Sequence, residues 1–429
     1  MGVQQSCQLD RMSDLCDMHT CIDAIEGRVS DATSRTETWV ATLKPGTTYE
    51  DVECKQVFMK IGINPSSIPV AKHKNAAIGL MYELQVYNQL LNPILNARIC
   101  PNFLRSYLVS YNCLHSDLVQ ALMAGLRIDQ SEAARRLDRN LSYVQQGIPN
   151  RPAVHEPLDQ ILDKHLDKRL NKPPSDDARF MVLTTEHTDV QTYGQWLRAP
   201  HTVQSLTAVL LQIVVALHTM ALSKLMHNDL HGGNVFVQTL DAPRTLVYDI
   251  QGLPPVSVTS RYKAMVDNFS QATSQVLGDN AMFLRSQRFK DLPLFEEKRD
   301  LVCLYKNLGP LNVQSRIGHF FDMSKVRPTP WDLGRGDETS TTLLMGLKAI
   351  SAELLPFARN LQPVDAEYTI TRDMFMRDGS LNRDHKALTD LRWQNAQYET
   401  KIIEFNAYIE QCQDAVRQHK AKFEALRTA

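Results

Sequence analysis

The segment from Leu225 to Phe236 carries the side chains best suited to chemistry, because it fits the pattern H-x-D-x-x-x-x-N. Its fixed positions are His227, Asp229 and Asn234. An aspartate so placed can accept the proton of an attacking hydroxyl group, and an asparagine five residues later can hold a magnesium ion that neutralises a triphosphate. An apolar helical pattern precedes the segment and a short apolar strand pattern follows it. The sequence therefore predicts a loop that takes part in phosphoryl transfer.

Strand patterns upstream of this loop are predicted to position a lysine for the same chemistry. They cover residues 22–27, 36–43 and 53–61, with turn residues between them, which is the order of an antiparallel meander. The third contains Val57-Phe58-Met59-Lys60, the pattern in which a lysine reaches from a strand to nucleotide phosphates. Lys60 is therefore a candidate nucleotide-binding residue.

A helix is predicted over residues 75–92, where leucine and tyrosine recur at helical spacing. Glu83 lies beside that apolar stripe. A glutamate at such a position is usually a solvated surface charge, since acids are rarely buried. Its place after Lys60 favours an inward ion pair between the two side chains instead.

Two more strand patterns flank a long irregular stretch. One is predicted over residues 100–109 and the other over 179–186, and residues 110–177 between them are interpreted as an insertion with helical fragments. The second strand ends at Glu186, where we expect backbone groups to contact the base of a nucleotide. A short helix is predicted to follow over residues 189–197.

Downstream of the loop, a strand pattern covers residues 245–250 and carries Asp249 near its end. Asp249 follows Asp229 by twenty residues, which suits a second magnesium ligand. Residues 253–290 are predicted to be rich in loops. Asp300, in a later predicted helix, is expected either to brace the backbone of the loop or to be an acid in the first turn of its own helix.

The composition is that of an ordinary soluble globular protein, with 43% hydrophobic and 22% charged residues in a chain of 429. The formal net charge of −1 argues against a protein that coats nucleic acid, so no nucleic-acid partner is predicted. The eight cysteines form no C-x-x-C pairs, which predicts reduced thiols, no zinc site and a cytoplasmic location. No segment is expected to have the length and apolarity of a membrane span.

The first six residues fit M-G-x-x-x-[ST], the pattern for N-myristoylation of Gly2. Cys7 follows directly and could take a second acyl chain, and two chains anchor a protein more firmly than one. A chance match is the alternative, because glycine and serine are common residues. If Gly2 is acylated, we expect the N-terminus to contact a membrane.

Apolar residues recur at alternating steps of three and four from Leu388 to Leu426, with Asn395 and His419 as polar exceptions. This heptad seam predicts a long helix that forms a coiled coil with a second copy of the chain or with another protein. A long helix packed on its own chain is the alternative.

These residues and motifs resemble those of the protein-kinase-like superfamily. The sequence of residues 227–234 is most similar to that of serine/threonine protein kinases of large DNA viruses. The resemblance implies an α+β, bilobal protein-kinase-like fold with an insertion in the N-lobe and a long C-terminal helix. The implied domains are an N-terminal tail (1–21), an N-lobe (22–188) with its insertion at about 110–177, a C-lobe (189–385) and a C-terminal helix (386–429).

The resemblance also implies ATP and Mg²⁺ as cofactors and a protein as the substrate. The implied catalytic residues are Asp229 as the base, His227 as the structural histidine of the loop, and Lys60. The implied nucleotide- and metal-binding residues are Lys60, Glu83, Glu186, Asn234 and Asp249.

Three features depart from the pattern of that family. No G-x-G-x-x-G occurs near the first strands, where Gly27 is the only glycine, so the phosphates would be contacted more loosely or by Ser30 and Ser34. Asn228 replaces the arginine that commonly receives an activation-loop phosphate. His231 stands where serine/threonine kinases usually carry a lysine.

Three functions follow from these observations. The first is a serine/threonine protein kinase in the cytoplasm, which would be the host cytoplasm or the virion if the source is a virus. The second is a small-molecule phosphotransferase, since such enzymes share the H-x-D-x-x-x-x-N motif. The third is a scaffold protein on a kinase fold without activity, which the missing glycines favour and the set of intact polar positions opposes.

Overall fold

The computed structural model describes residues 9, 19–28, 37–49, 52–64, 74–135, 179–187, 190–278, 280, 300–301, 303–304, 320, 338–354 and 364–382. The chain divides into two compact units, Met1–Ser380 and Leu381–Ala429. All of the helices and strands described below belong to the first unit. Gly2, Ser30, Ser34, the greater part of the predicted insertion and the heptad helix lie outside the described residues.

The first unit combines helices with largely antiparallel sheets, which confirms the predicted α+β class. The strands are β1 Ile22–Arg28, β2 Glu37–Leu43, β3 Thr48–Tyr49, β4 Val52–Glu53, β5 Gln56–Ile63, β6 Ser106–Leu114, β7 Arg179–His187, β8 Val190–Thr192, β9 Leu225–Met226, β10 Val235–Ile250, β11 Val256–Val266, β12 Thr273–Ser274 and β13 Ala366–Ile370. The helices are α1 Lys74–Val86, α2 Asn92–Asn96, α3 His115–Leu126, α4 Tyr193–Trp196, α5 Val203–Leu222 and α6 Glu338–Leu354.

The N-terminal sheet has five strands in the order β1-β2-β5-β7-β6, and every neighbouring pair is antiparallel. The predicted meander of three strands is therefore confirmed. Strand β7 lies between β5 and β6, and its residues from Phe180 to Thr185 are all buried. A strand covered on both faces is continuously apolar or small, and this is the pattern that made β7 recognisable in the sequence.

The strand predicted over residues 100–109 begins later, at Ser106, and ends at Leu114. Pro101 has no N–H group to donate to a sheet. The residues after it pair elsewhere: the carbonyl of Asn102 accepts from the N–H of Val266 at 2.9 Å, and Phe103 forms a β-bridge with Val266. The first residues of the stretch predicted as an insertion, 110–114, therefore belong to β6.

The helix predicted over residues 75–92 is interrupted in its last part. Helix α1 passes into a π-helical turn, Tyr87–Leu91, before α2 begins. Pro93 explains the interruption, because its ring would crowd the carbonyl group four residues earlier in a regular α-helix and it has no N–H to donate. The wider turn accommodates the proline and rotates the residues that follow Val86.

Helix α5 is the core helix, with every residue from Thr207 to Ala221 buried. By length and composition alone it could cross a membrane, with a mean hydropathy of 1.9, so the expectation that no segment is apolar enough is wrong. Within its most apolar window 83% is buried inside the protein, as in the central helix of a globular core. Its polar interruption, Gln212, donates to the carbonyl of Tyr262 at 2.9 Å and accepts from the N–H of Ala264 at 3.0 Å.

Strands β10 and β11 form a hairpin much longer than the sequence predicted. The separate strand patterns at 235–237 and 245–250 belong to one strand of 16 residues, and the return strand of 11 residues occupies part of the stretch predicted to be loops. The pairing shifts register between Thr239 and Arg244 and then resumes. The short helix predicted over 189–197 is also split, because β8 pairs with β10 before the single turn of α4 begins.

Cys21 is disulfide-bonded, so the expectation that the cysteines are reduced is wrong for this residue. Cys54, Cys100, Cys113 and Cys303 form no disulfide bond. Among the described residues no three His, Cys, Asp or Glu side chains are grouped as they would be around a zinc ion.

Asn102 is completely buried and joins the N-terminal half of the chain to the core helix and the hairpin. Its Nδ2 donates to the carbonyl of Ala264 at 2.9 Å and to Oε1 of Gln212 at 3.2 Å, and its Oδ1 accepts from the hydroxyl of Tyr248 at 3.0 Å. A buried polar network is stabilising only while all its members are satisfied.

We therefore expect Asn102→Leu to lower the free energy of unfolding by about 3 kcal/mol, because it leaves several buried groups without a partner. Tyr248→Phe removes one of these bonds and should cost only about 1 kcal/mol. Urea unfolding followed by circular dichroism measures both. Equal losses in the two variants would show that Asn102 does not join these elements.

Candidate active site

The loop between α5 and β10 is held by one buried carboxylate. Asp300 accepts the N–H groups of His227 and Asn228, each at 2.7 Å, through its two oxygens. Asn228 has a positive φ of 64°, a left-handed conformation that asparagine tolerates better than most residues. The expectation that Asp300 braces the loop backbone is confirmed.

The side chain of Asn228 ties the loop to the segment that follows the hairpin. Its Nδ2 donates to the carbonyl of Gln271 and to the hydroxyl of Thr273, both at 3.0 Å. Asn228 is almost completely buried, with 1% exposure. A neutral amide bound to neutral partners thus occupies residue 228.

The second half of the loop closes on itself. Nδ2 of Asn234 donates to the carbonyl of Asp229 at 2.7 Å, and the N–H of Gly233 donates to Nδ1 of His231 at 3.0 Å. A Cβ atom on Gly233 would lie 2.9 Å from Cε1 of His231, so this position requires a glycine or a displaced imidazole ring. The N–H of Gly194, in α4, donates to the carbonyl of Gly232 at 3.0 Å.

These contacts leave the carboxylate of Asp229 as the accessible acid of the loop, with its side chain 35% exposed. Oδ2 of Asp229 accepts from Nε2 of Gln271 at 3.3 Å and lies 4.0 Å from Nε2 of His231. An exposed acid on a rigid backbone is well placed to accept a hydrogen bond from an incoming hydroxyl group.

The structure brings Lys60 and Glu83 together, as their order in the sequence predicted. Nζ of Lys60 lies 2.7 Å from Oε1 of Glu83 and 3.7 Å from Oδ2 of Asp267. Burial lowers the pKa of Lys60, but the charges of Asp267 and Glu83 outweigh it and the net pKa is raised. Lys60 is therefore a cation shared between two carboxylates.

Asp267 is the site residue that the sequence did not reveal. The backbone carbonyl of Asp267 lies 2.8 Å from Nε2 of His227, and its N–H donates to the carbonyl of Asn234 at 3.0 Å. The next residue, Asn268, donates through Nδ2 to Oδ1 of Asn234 at 2.9 Å. Asp267 is thus in contact with His227 and Asn234, the first and last fixed positions of the H-x-D-x-x-x-x-N pattern, and with Lys60.

The two residues after Asp267 complete a D-N-F segment. The N–H of Phe269 donates to Oε1 of Glu83 at 3.2 Å, and its ring packs against the imidazole of His227 with centroids 5.0 Å apart. A local signal for this segment exists in the sequence, where the apolar end of β11, Ala264-Met265-Val266, runs directly into Asp267.

Asp249, the predicted second metal ligand, does not lie in this cluster. Its side chain is exposed, and it lies at the opposite end of β10 from Asn234, where it pairs with Thr369 of β13. The length of the hairpin is the reason: the chain returns to the loop only at the end of β11, so Asp267 reaches the position that Asp249 was expected to occupy.

Three aromatic rings lie together near Lys60. Phe58 lies two residues before Lys60 on β5 and so on the same face of that strand, and Phe236 lies two residues after Asn234. Their ring centroids are 6.4 Å apart, and the imidazole of His187 lies 4.0 Å from the ring of Phe58. All three side chains are partly exposed.

Glu186, the predicted base-contacting residue, lies next to His187 on β7. Its N–H donates to the carbonyl of Arg105 at 2.9 Å, and its Oε1 lies 3.8 Å from Nζ of Lys263 on β11. The end of β7 is therefore bound both to the residue that precedes β6 and to strand β11 of the hairpin.

No protein-family model and no curated protein matches the chain. Among solved structures 182 chains match, one of them described as "WaaP in complex with acyl carrier protein". That alignment covers 80% of this chain and 92% of the other, with 11% sequence identity and a TM-score of 0.30. A likeness of this size carries no conclusion about fold or function, so the proposals below depend on the geometry of the site.

We expect Asp300→Ala to lower the free energy of unfolding by about 3 kcal/mol, because it leaves two buried N–H groups without an acceptor. Hydrogen exchange at the amides of His227 and Asn228 should accelerate more than exchange elsewhere in the core. Asp241→Ala, at an exposed position of the hairpin, is the matched control and should change neither measurement. Unchanged exchange at the two amides in Asp300→Ala would contradict the bracing role.

Proposed function

We propose that the protein is an ATP- and Mg²⁺-dependent phosphotransferase with a bilobal protein-kinase-like fold. The observation that carries the proposal is the position of Asp267, which contacts Lys60, His227 and Asn234 at once. A lysine, two candidate metal-binding side chains and an accessible acid are the parts that phosphoryl transfer requires, and here they come from separate segments of the chain.

The donor set fits magnesium. The carboxylate of Asp267 and Oδ1 of Asn234 are hard oxygen ligands on adjacent, hydrogen-bonded segments. Mg²⁺ is commonly held by one or two protein side chains together with phosphate oxygens and water, so a cluster of three acids is not required. When bound, the ion would neutralise the charge of the phosphates. Asp267 takes the metal-binding role first predicted for Asp249.

Lys60 is proposed to bind the phosphates. One hydrogen of its ammonium group is directed at Glu83, and the ammonium group has three donors in all, so donors remain for phosphate oxygens. Glu83 and Asp267 hold the ammonium group in one place before a nucleotide arrives. Such prior positioning is the main way in which a protein accelerates phosphoryl transfer.

Asp229 is proposed to orient the attacking hydroxyl group and accept its proton. Its backbone is fixed by Asn234, and its carboxylate is the exposed acid of the loop. The base of the nucleotide is proposed to lie beside Phe58 and Phe236, because Phe58 shares a strand face with the phosphate-binding Lys60 and Phe236 follows the metal-binding Asn234 by two residues. Stacking on an aromatic ring stabilises a nucleobase by about 1–3 kcal/mol.

The acceptor that we propose is a serine or threonine of a protein. The long predicted insertion and the predicted heptad helix support this choice, since an enzyme acting on a small molecule seldom needs either. His231 in place of a lysine favours the alternative of a small-molecule acceptor. Acylation at Gly2, self-association through residues 388–426, a cytoplasmic location and a viral origin remain predictions from the sequence.

The proposal is tested by transfer of labelled phosphate from ATP to casein in the presence of Mg²⁺. We expect Asp229→Asn to reduce transfer about 100-fold or more, because the base no longer accepts the proton. Equal transfer by wild type and Asp229→Asn would contradict the proposal. Turnover of ATP without labelled casein would favour a small-molecule acceptor, and a thermal shift with Mg-ATP without turnover would favour the scaffold.

Two aspartate variants distinguish which of the two carboxylates binds the metal. We expect Asp267→Asn to reduce label transfer about 100-fold, as is typical when one electrostatic contact to the transferring group is lost. Asp249→Asn is the matched control, since the same change at an exposed strand position should leave transfer within about 2-fold, the ordinary effect of a surface substitution. The opposite ranking would restore Asp249 as the ligand.

A further inference from the structure

Tyr87 makes a hydrogen bond that none of the roles above requires. It is completely buried, and its hydroxyl group donates to Oδ1 of Asp267. The hydroxyl group is the donor in this bond, because a carboxylate can only accept. A tyrosine that donates to the proposed metal ligand is a chemical feature rather than a packing one, because phenylalanine would fill the same space.

The helix presents this tyrosine together with Glu83. The two residues are four apart and so lie on one face of the helix. Tyr87 opens the π-helical turn, in which the N–H of Asn92 donates to its carbonyl. Its ring also meets the ring of Phe269 edge to face, with centroids 5.9 Å apart.

Glu83 and Tyr87 therefore hold the D-N-F segment at its two ends. Glu83 accepts the N–H of Phe269, and Tyr87 donates to the carboxylate of Asp267. The two oxygens of that carboxylate have different neighbours, since Oδ1 faces Tyr87 and Oδ2 faces Lys60 at 3.7 Å. The separation from Lys60 is longer than a hydrogen bond, so the hydroxyl group of Tyr87 is the closer restraint on the carboxylate plane.

This restraint matters because the terminal torsion of an aspartate is broad and has only weak preferences of its own. A carboxylate free to rotate would present its lone pairs in many directions, and Mg²⁺ demands nearly ideal octahedral geometry. Hydrogen-bond partners of metal-binding carboxylates typically change metal affinity or activity by about 10- to 100-fold when they are removed.

From this geometry we infer that Tyr87 is a positioning residue: it orients the carboxylate of Asp267 so that one oxygen is presented to the metal of a metal–nucleotide complex. The inference rests on the proposed function, since it assumes that Asp267 binds the metal. The π-helical turn would then have a second role besides accommodating Pro93, since it begins at Tyr87.

Tyr87→Phe is the sharpest test, because it keeps the ring and its contact with Phe269 and removes only the hydroxyl group. Binding of Mn²⁺ in the presence of a non-hydrolysable ATP analogue is followed by electron paramagnetic resonance of the free ion. We expect the affinity for Mn²⁺ to fall about 10- to 100-fold. Binding of the same analogue in EDTA, measured by calorimetry, should stay within about 2-fold, because Lys60 and the base contacts are untouched.

Tyr82→Phe is the matched control on the same helix. Tyr82 is buried, but its hydroxyl group donates to the carbonyl of Gly278 at 2.9 Å, so this change should leave the affinity for Mn²⁺ as in wild type.

If Tyr87→Phe does not fold, Tyr87→Gln is compared with Tyr87→Met, since the two side chains are similar in length and only Gln can donate a hydrogen bond. We then expect weaker Mn²⁺ binding in the Met variant.

The outcomes are separate for the two proposals. Wild type that binds no Mn²⁺ with the analogue would overturn the proposed function and this inference together. Wild type that binds Mn²⁺ while Tyr87→Phe binds it equally well would overturn the inference alone. An equal loss of analogue binding with and without metal would also overturn it, because the tyrosine would then only support the surrounding structure.

Discussion

The site depends on one constraint: two carboxylates and one ammonium group are withdrawn from water at the same place. Lys60 neutralises only one of the two negative charges of Glu83 and Asp267. An unpaired buried charge is costly, so the remaining charge must be met by hydrogen-bond donors or by a further cation. The N–H of Phe269 and the hydroxyl of Tyr87 are such donors. A divalent metal bound at Asp267 would be such a further cation, so the excess negative charge of the cluster also favours the proposed cofactor.

The loop that carries Asp229 is stabilised by a different kind of contact. Asp300 binds its backbone, and the amide of Asn228 binds neutral groups of the following segment. An arginine at residue 228 would need an anion as its partner, and a phosphate could supply that anion only part of the time. Because Asn228 makes its hydrogen bonds within the chain, the loop geometry does not depend on phosphorylation. The departure from the kinase pattern at this residue therefore favours an arrangement that is permanently assembled.

Local patterns predicted the parts of the site whose geometry is local. Lys60 was predicted from its own strand, and Glu83 was predicted from its helix together with its place after Lys60. Asp267 could not be identified in this way, because its place depends on where the β10–β11 hairpin ends, and that length is set by pairing between strands. The alternation of Val256 and Val258 with serine is a strand signal, but in a stretch rich in Ser and Thr it is weak. Tyr87 was visible as an apolar helical residue, whereas the role of its hydroxyl group appears only when Asp267 is placed beside it.

The proposed position of the nucleobase follows from the same alternation of side chains along β5 that places Lys60. Phe58 and Phe236 have ring centroids 6.4 Å apart, whereas a flat base in contact with both would need about 7 Å, twice the usual carbon–carbon contact distance. Under the proposed function, a base that stacked between these two rings would require β5 and β10 to separate slightly. The N–H of Glu186 already donates to Arg105, so this backbone group is not available to read the edge of the base. Stacking does not distinguish one base from another, because every base has a π-face. Under the proposed function, the residues around Lys60 and Asp267 would contribute specificity for the phosphates and metal, while stacking on Phe58 and Phe236 would contribute affinity for the base.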